Sequence, residues 1–182
     1  MKYFTKKIVL VALLCLSACS ASPTYIKNTK DNSLLTIKTA YTTTINQAYK
    51  DSNRIWQHGK LGNITVNLEG EPNLGLCYHW QEIVYVGIQK SIKTTGWRAT
   101  GIAINEGNFQ EHHAVLVYNP SQTPFDFIFS KQHINNSYVL DPWQNGKPHI
   151  YTLENWLKLP FSTEKPARLT KITNFKLTRF KP

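Results

Sequence analysis

Apolar residues recur at intervals of three and four positions in two stretches of the chain, and this spacing predicts two amphipathic helices. The first helix runs from Leu34 to about Trp56, in spite of its β-branched threonines. The second begins at Cys77 and ends at Gly96, a residue typical of a helix C-cap. A chain with two such helices needs a further apolar surface to cover them.

Between the two helices, residues 57–74 are rich in glycine and proline. This composition predicts an irregular connection, with 63–66 as a short strand inside it. After the second helix the period of the apolar pattern changes to two. Alternation predicts a strand over 97–104 and its hairpin partner over 110–118, joined by a turn at 105–108.

Shorter elements follow the hairpin. We expect a weak apolar stretch at 125–129, a strand over 137–140 and a returning strand at 150–151. Thr152 is suited to cap a short helix over 153–157. Helices that precede a run of antiparallel strands predict an α+β fold.

The first residues have the composition of an export signal. A basic start is followed by the apolar run 8–16, which is too short to cross a bilayer. The next stretch, Leu-Ser-Ala-Cys at 16–19, resembles the bacterial lipobox. That resemblance implies a signal peptide over 1–18 and acylation of Cys19. The alternative is an ordinary signal peptide that is cut near Ala21.

The lipobox resemblance also implies how the rest of the chain is arranged. Residues 19–33 become a lipidated tether, and residues 34–182 are long enough for one domain with a proper core. Ser20 follows the lipidated cysteine where an aspartate would signal retention at the inner membrane. We therefore expect a protein of the bacterial cell envelope, anchored in the outer membrane and facing the periplasm or the surface.

The chain is basic, with a formal net charge of +10. Removal of 1–18 takes away three lysines and no acidic residue, so the charge falls to about +7. A basic exported protein suits anionic lipid, lipopolysaccharide or an acidic substrate. The charge is concentrated in 165–181, where it alternates with apolar residues and predicts an edge strand with a solvated basic face. Without a recognisable nucleic-acid-binding motif, we expect no nucleic-acid partner.

Three cysteines are present, and only one of them is free for chemistry in the exported protein. Cys15 lies in the leader and Cys19 is the lipidation site, so Cys77 has no partner for a disulfide. Its place in the first turn of a helix favours a thiolate, because unpaired N–H groups and the helix dipole point there. The alternative is a buried cysteine that acts as a small apolar side chain.

A nucleophilic thiol needs a base, and the base needs a third group that orients it. His112 and His113 open the strand 110–118, and Asp141 follows the strand 137–140. Adjacent residues of a regular strand point to opposite faces, so only one of the two histidines can reach the thiol.

These segments resemble the transglutaminase-like superfamily. The resemblance covers about 74–143: Gly75-Leu76-Cys77 with its helix, a glycine and strand, His113-Ala114-Val115, and Val139-Leu140-Asp141-Pro142. It implies a papain-like fold in which a helix with an N-terminal cysteine packs on an antiparallel sheet. It also implies a Cys-His-Asp triad of Cys77, His113 and Asp141. We choose His113 because it directly precedes Ala-Val, and His112 remains the alternative.

The resemblance implies acyl transfer at amide bonds. Water as the acceptor makes a cysteine peptidase or amidase, which we favour. An amine makes a transglutaminase or acyltransferase, and a surface binding module that keeps the fold without turnover is a further alternative. The backbone N–H of Cys77 is one oxyanion donor. Asn73 is our candidate for the second, and Tyr78 and Trp143 are expected to line the pocket.

Other chemistry is less well supported. His112, His113, Cys77 and Asp141 are potential zinc ligands, but no HExxH or CxxC spacing is present, so we expect no metal site and no cofactor. His79 is expected at the surface or the pocket rim. The expected partners are a protein or peptide substrate, cell-wall peptides included, and a bilayer through the acylated Cys19. We expect a monomer.

Overall fold

The computed structural model describes residues 26, 29–107, 110–124, 128 and 137–159, and the backbone of 169–172. The elements in chain order are α1 Asn32–Lys50, β1 Ile55–Trp56, α2 Gly59–Glu69, β2 Asn73–Leu74, α3 Cys77–Thr95, β3 Arg98–Ile104, β4 His112–Tyr118, β5 Ser137–Leu140, β6 Ile150–Thr152, α4 Leu153–Leu157 and β7 Leu169–Ile172.

An antiparallel sheet of five strands, in the order β6-β5-β4-β3-β7, carries the fold. β1 and β2 form a separate parallel pair, and α3 follows β2 in the chain. The predicted α+β class is therefore confirmed.

Each face of the sheet has its own apolar core, because successive side chains of a strand point to opposite sides. Val115 and Val117 of β4 belong to the core that is shared with α1 and α3. Leu116, between them, belongs to the core beneath Trp156 of α4. Trp80 of α3 is almost fully buried in the first core. Burying a side chain of this kind contributes about 1.5–3 kcal/mol, so the apolar stripe of α3 is what holds it on the sheet.

Helix α1 is shorter than its periodicity predicts. It starts at the cap residue Asp31, whose carboxylate accepts the N–H of Leu34 at 3.0 Å. It ends at Lys50, so the predicted extension to Trp56 is wrong. The N–H of Ile55 donates instead to the carbonyl of Pro72 at 3.0 Å. Pairing with a strand requires extended backbone, and this long-range contact overrides the local pattern.

The segment 57–74 was expected to be irregular, and it contains helix α2 instead of a strand at 63–66. Its glycines lie at the ends and on the packed face of the helix. Gly59, at φ +66°, starts it and Gly70, at φ +65°, ends it. Gly62 lies where a Cβ would come within 2.9 Å of Gln57 Cβ. The glycines therefore mark boundaries and one close contact.

The other predictions hold more closely. Gly96 ends α3 in the left-handed conformation at φ +72°, as expected. The strand 137–140 and the helix 153–157 have the predicted bounds, and the Thr152 hydroxyl caps that helix by accepting the N–H of Asn155. β7 lies at the sheet edge within the predicted basic strand 165–181.

Several predictions lie outside the described residues. They are the signal peptide 1–18, the acylation of Cys19 and most of the stretch 125–129. Among the residues that the structure describes, no helix is both long and apolar enough to cross a bilayer.

Candidate active site

Cys77 is the first residue of α3, as predicted. A sharp turn at Gly75 positions it at the start of the helix. Gly75 has φ +126°, and a Cβ at this position would lie 2.0 Å from the carbonyl oxygen of Gln57. The backbone N–H groups of Gly75 and Leu76 both donate to His79 Nδ1, at 3.2 and 3.3 Å. His79 is thus buried and shapes the turn, so of the two places expected for it, the surface and the pocket rim, the surface is wrong.

The thiol of Cys77 faces the start of β4. Its Sγ donates to the carbonyl oxygen of Glu111 at 3.9 Å, and the side chain lies close enough to His112 to raise the pKa of that ring. Cys77 is the free cysteine among the described residues. The N-terminus of α3 and the buried imidazole of His112 therefore both lie at the Cys77 side chain.

His112, and not His113, pairs with Asp141. The Nε2 atom of His112 lies 2.7 Å from Asp141 Oδ2, and both side chains are buried. The prediction that His113 pairs with Asp141 is therefore wrong. Val115 lies opposite Leu140, so continuing the register sets Ala114 opposite Asp141. His112, two positions from Ala114, shares that face and His113 does not.

Two tryptophans hold the pair in place. Trp143 packs on the His112 ring with centroids 4.8 Å apart, and its backbone N–H donates to Asp141 Oδ1 at 3.0 Å. Trp156 also stacks on the His112 ring, at 5.7 Å, and its Nε1–H donates to Asp141 Oδ2 at 2.8 Å. Asp141 therefore accepts hydrogen bonds on both oxygens, and His112 is in contact with two indole rings.

The electrostatics of the pair favour an ion pair. Burial alone would lower the pKa of His112, but the Asp141 carboxylate and the neighbouring Cys77 outweigh it and raise that pKa to about 9. Burial would raise the pKa of Asp141, yet His112, the Trp156 indole and the Trp143 N–H lower it. Because Nε2 of His112 is engaged by Asp141, Nδ1 is the ring nitrogen that remains for the thiol.

His113 has a different partner. Its Nε2 pairs closely with Glu111 Oε1, and its ring lies 6.4 Å from that of Tyr78. Glu111 also accepts the N–H of Gly107 at 2.6 Å. Burial works against the charge of Glu111, but the Gly107 N–H and His113 outweigh it and lower its pKa. This second pair lies beside the thiol, and its hydrogen bonds are separate from those of Asp141.

Two of the remaining predicted residues, Tyr78 and Asn73, line a groove. Tyr78 is partly exposed and helps to line a groove of about 590 Å³ with Leu76, His79 and the predicted oxyanion residue Asn73. The Asn73 amide donates to Glu69 at 3.1 Å and accepts from Gln57 at 3.1 Å. Asn73 is thus tied into the groove wall.

Trp143 does not line that groove. It is buried against His112, and its Nε1–H donates to Asn63 on α2 at 3.0 Å. Trp143, which was expected to line the pocket, therefore lies over the His112–Asp141 pair instead.

Sequence reasoning missed two residues that support the site. Trp156 has no local signal, because its partner Asp141 lies 15 positions earlier. Gln81 is buried on α3, and its amide donates to the carbonyls of Ile102 at 2.9 Å and Ala114 at 2.6 Å. A glutamine on the apolar face of a helix is the available signal, since a buried amide needs partners.

No group of three or more potential metal ligands comes together within the described part of the chain. No family model, curated protein or solved structure matches this chain. The site must therefore be judged by its own geometry.

Proposed function

We propose that this protein is a thiol acyl-transfer enzyme of papain-like type, a cysteine peptidase or amidase that uses Cys77, His112 and Asp141. The observation that carries the proposal is the buried His112–Asp141 pair at the N-terminus of the helix that begins with Cys77. A structural cysteine needs no imidazole and no carboxylate behind it. A nucleophile needs both.

The geometry supports a two-step reaction. His112 takes the Cys77 thiol proton at Nδ1, and the resulting thiolate attacks the carbonyl carbon of an amide. The backbone N–H at the start of α3 donates to the oxyanion. The protonated His112 gives its Nδ1 proton to the departing amine, which leaves a thioester on Cys77. Water then attacks the thioester while His112 takes one of its protons, and the acid and the free thiol result. Asp141 holds the ring and offsets its charge throughout.

The groove beside Tyr78 supports a peptide-like substrate. It contains amide side chains from Asn67 and Asn73 together with apolar atoms of Val66 and Leu74. Such a mixture suits a chain of alternating polar and apolar groups. Under this proposal the protein is exported and held at the bilayer by an acylated Cys19, as the lipobox implies.

The test begins with the thiol. Iodoacetamide should alkylate Cys77 of the full-length protein at neutral pH faster than a model thiol with a pKa of about 8.5. Cys77→Ser should lose the modification, and His112→Gln should slow it. Alkylation at the model rate in the native protein would contradict the proposal.

The acyl acceptor is tested separately. Peptide amides are incubated with the native protein in the presence and absence of a primary amine, and the products are separated by mass. Free acid in both reactions supports a hydrolase. An amide of the added amine would identify a transferase instead. Cys77→Ala is the control for both reactions.

A further inference from the structure

Helix α2 carries an apolar stripe that the described part of the protein does not cover. Leu61 and Leu68 are 80% and 81% exposed, and Ile64 is 54% exposed. Because successive residues of a helix are about 100° apart, these three fall within an arc of about 60°. Val66, on the opposite side, is buried. We call Leu61, Ile64 and Leu68 the α2 apolar face. An exposed apolar patch of this kind usually marks a contact with another surface.

The α2 apolar face lies near the point where the tether enters the fold. The N–H of Ile26 donates to the carbonyl of Ile150 at 2.7 Å, next to the turn that joins β5 and β6. The carbonyl of Trp143 in the same turn accepts the N–H of Gly59, the first residue of α2, at 2.6 Å. The connection between β5 and β6, together with the first residue of β6, therefore holds both Ile26 and the start of α2.

The tether is short. Ile26 is seven positions beyond Cys19 (26 − 19), and a fully extended chain of that length spans at most about 25 Å. A domain of about 150 residues has a radius of gyration near 15 Å and is therefore wider than this reach. If Cys19 is acylated, the side of the domain that carries Ile26 must stay close to the bilayer.

We propose that the α2 apolar face lies in the headgroup region of the bilayer in which Cys19 is anchored. The proposal rests on the lipobox prediction and is independent of catalysis. Helices that lie along a membrane place their apolar side chains about 5–10 Å into the interface. α2 contains one lysine, Lys60, and one glutamate, Glu69, and so has no net charge of its own. Contact through α2 therefore depends on apolar burial and should resist salt, unlike contact through the basic segment 165–181.

The first experiment measures depth in the membrane. The lipidated full-length protein is reconstituted in vesicles of phosphatidylethanolamine and phosphatidylglycerol that contain a brominated phospholipid. Tryptophan is introduced by Leu61→Trp or Leu68→Trp, with Val86→Trp on α3 as the matched control, since Val86 is also exposed. The signal of the native tryptophans is subtracted.

We expect the bromine to quench the two α2 variants at least roughly twofold more than the control, at low and at high salt. Equal quenching at all three positions would overturn the proposal. A protein that stays in the aqueous fraction would overturn it too, because Cys19 is then not an anchor. Loss of the difference in high salt would assign the contact to the basic segment.

The second experiment needs no new tryptophan. Hydrogen exchange of the α2 amides is compared on vesicles for the native protein and for Leu61→Gln/Leu68→Gln, both lipidated. Slower exchange in the native protein supports the contact. Equal exchange contradicts it, and protection that grows with protein concentration in the absence of lipid would show a second copy as the occupant.

Discussion

The Nε2 atom of His112 lies 2.7 Å from Asp141 Oδ2, and neither side chain is open to solvent. The neighbouring His113 pairs with Glu111 instead. Two adjacent histidines thus have separate carboxylate partners, and only His112 is aligned between Asp141 and the thiol helix.

Replacing each histidine separately by alanine distinguishes their roles. His112→Ala should lower the rate of amide cleavage by about 10²–10⁴-fold, because a general acid–base group is lost. His113→Ala should keep the pH profile of Cys77 alkylation, since His113 pairs with Glu111 and Asp141 pairs with His112. Alkylation rates across pH check both variants. A normal profile in His112→Ala together with an altered one in His113→Ala would reverse the assignment.

The charged pair predicts how stability depends on pH. The pKa of His112 is about 9 in the folded protein against 6.5 ordinarily, so its contribution is complete below pH 6.5 and is lost as pH rises toward 9. The pKa of Asp141 is lowered from 3.8, so its contribution is complete above that value and is lost in stronger acid.

The midpoint of urea unfolding should therefore be highest between about pH 4 and 6.5 and fall on the alkaline side. His112→Gln should remove most of that alkaline decline, and it should also move the acid arm to higher pH, because His112 is the first of the contacts that lower the pKa of Asp141. An alkaline arm of unchanged size in the variant would mean that another group titrates there.

Trp156→Phe removes the indole N–H from Asp141 Oδ2 but keeps an aromatic ring near His112. We expect a loss of about 1–3 kcal/mol in the free energy of unfolding, because the donor serves a buried charge. The pKa of Asp141 should rise, which moves the acid arm of the stability profile to higher pH. Trp97→Phe is a control at a buried tryptophan of the other core. An acid arm that does not move would show that Trp156 only packs there.

Gly75→Ala should be severely destabilising. The residue has φ +126°, and the added Cβ would lie 2.0 Å from the Gln57 carbonyl oxygen. Backbone must move to relieve such a clash, so we expect a loss of more than about 3 kcal/mol. Gly96→Ala is the matched control, because Gly96 also has positive φ but no atom within 4 Å of the Cβ site. Its cost should stay near about 1 kcal/mol. Thermal unfolding of both variants gives the comparison.

The elements that depend on local pattern were predicted well. α3 has an unbroken apolar stripe, and Thr152 with Gly96 marks two helix ends, so local sequence was sufficient there. α2 was missed because its glycines were interpreted as breakers, although Gly62 is a packing contact with Gln57. The end of α1 was missed because Ile55 pairs with a strand that comes later in the chain.

The sequence predicted that Cys77, a histidine and Asp141 come together, but it named the wrong histidine. Cys77 lies at the start of a helix and Asp141 follows the end of a strand, and local sequence pattern predicts both boundaries. The choice between His112 and His113 depends on the register of β4 against β5, which sets the face that Asp141 shares. That register is a long-range property. The same holds for Trp156, whose role appears only after α4 docks on the sheet.

The contact between Trp156 and Asp141 affects when the proposed site is completed during folding. The groups of the proposed site are spread from Cys77 to Trp156, so they meet only after α4 has joined the sheet. A chain in which α4 has not yet docked lacks the Trp156 N–H on Asp141. The enzyme we propose would thus acquire its full reactivity only when the domain has folded.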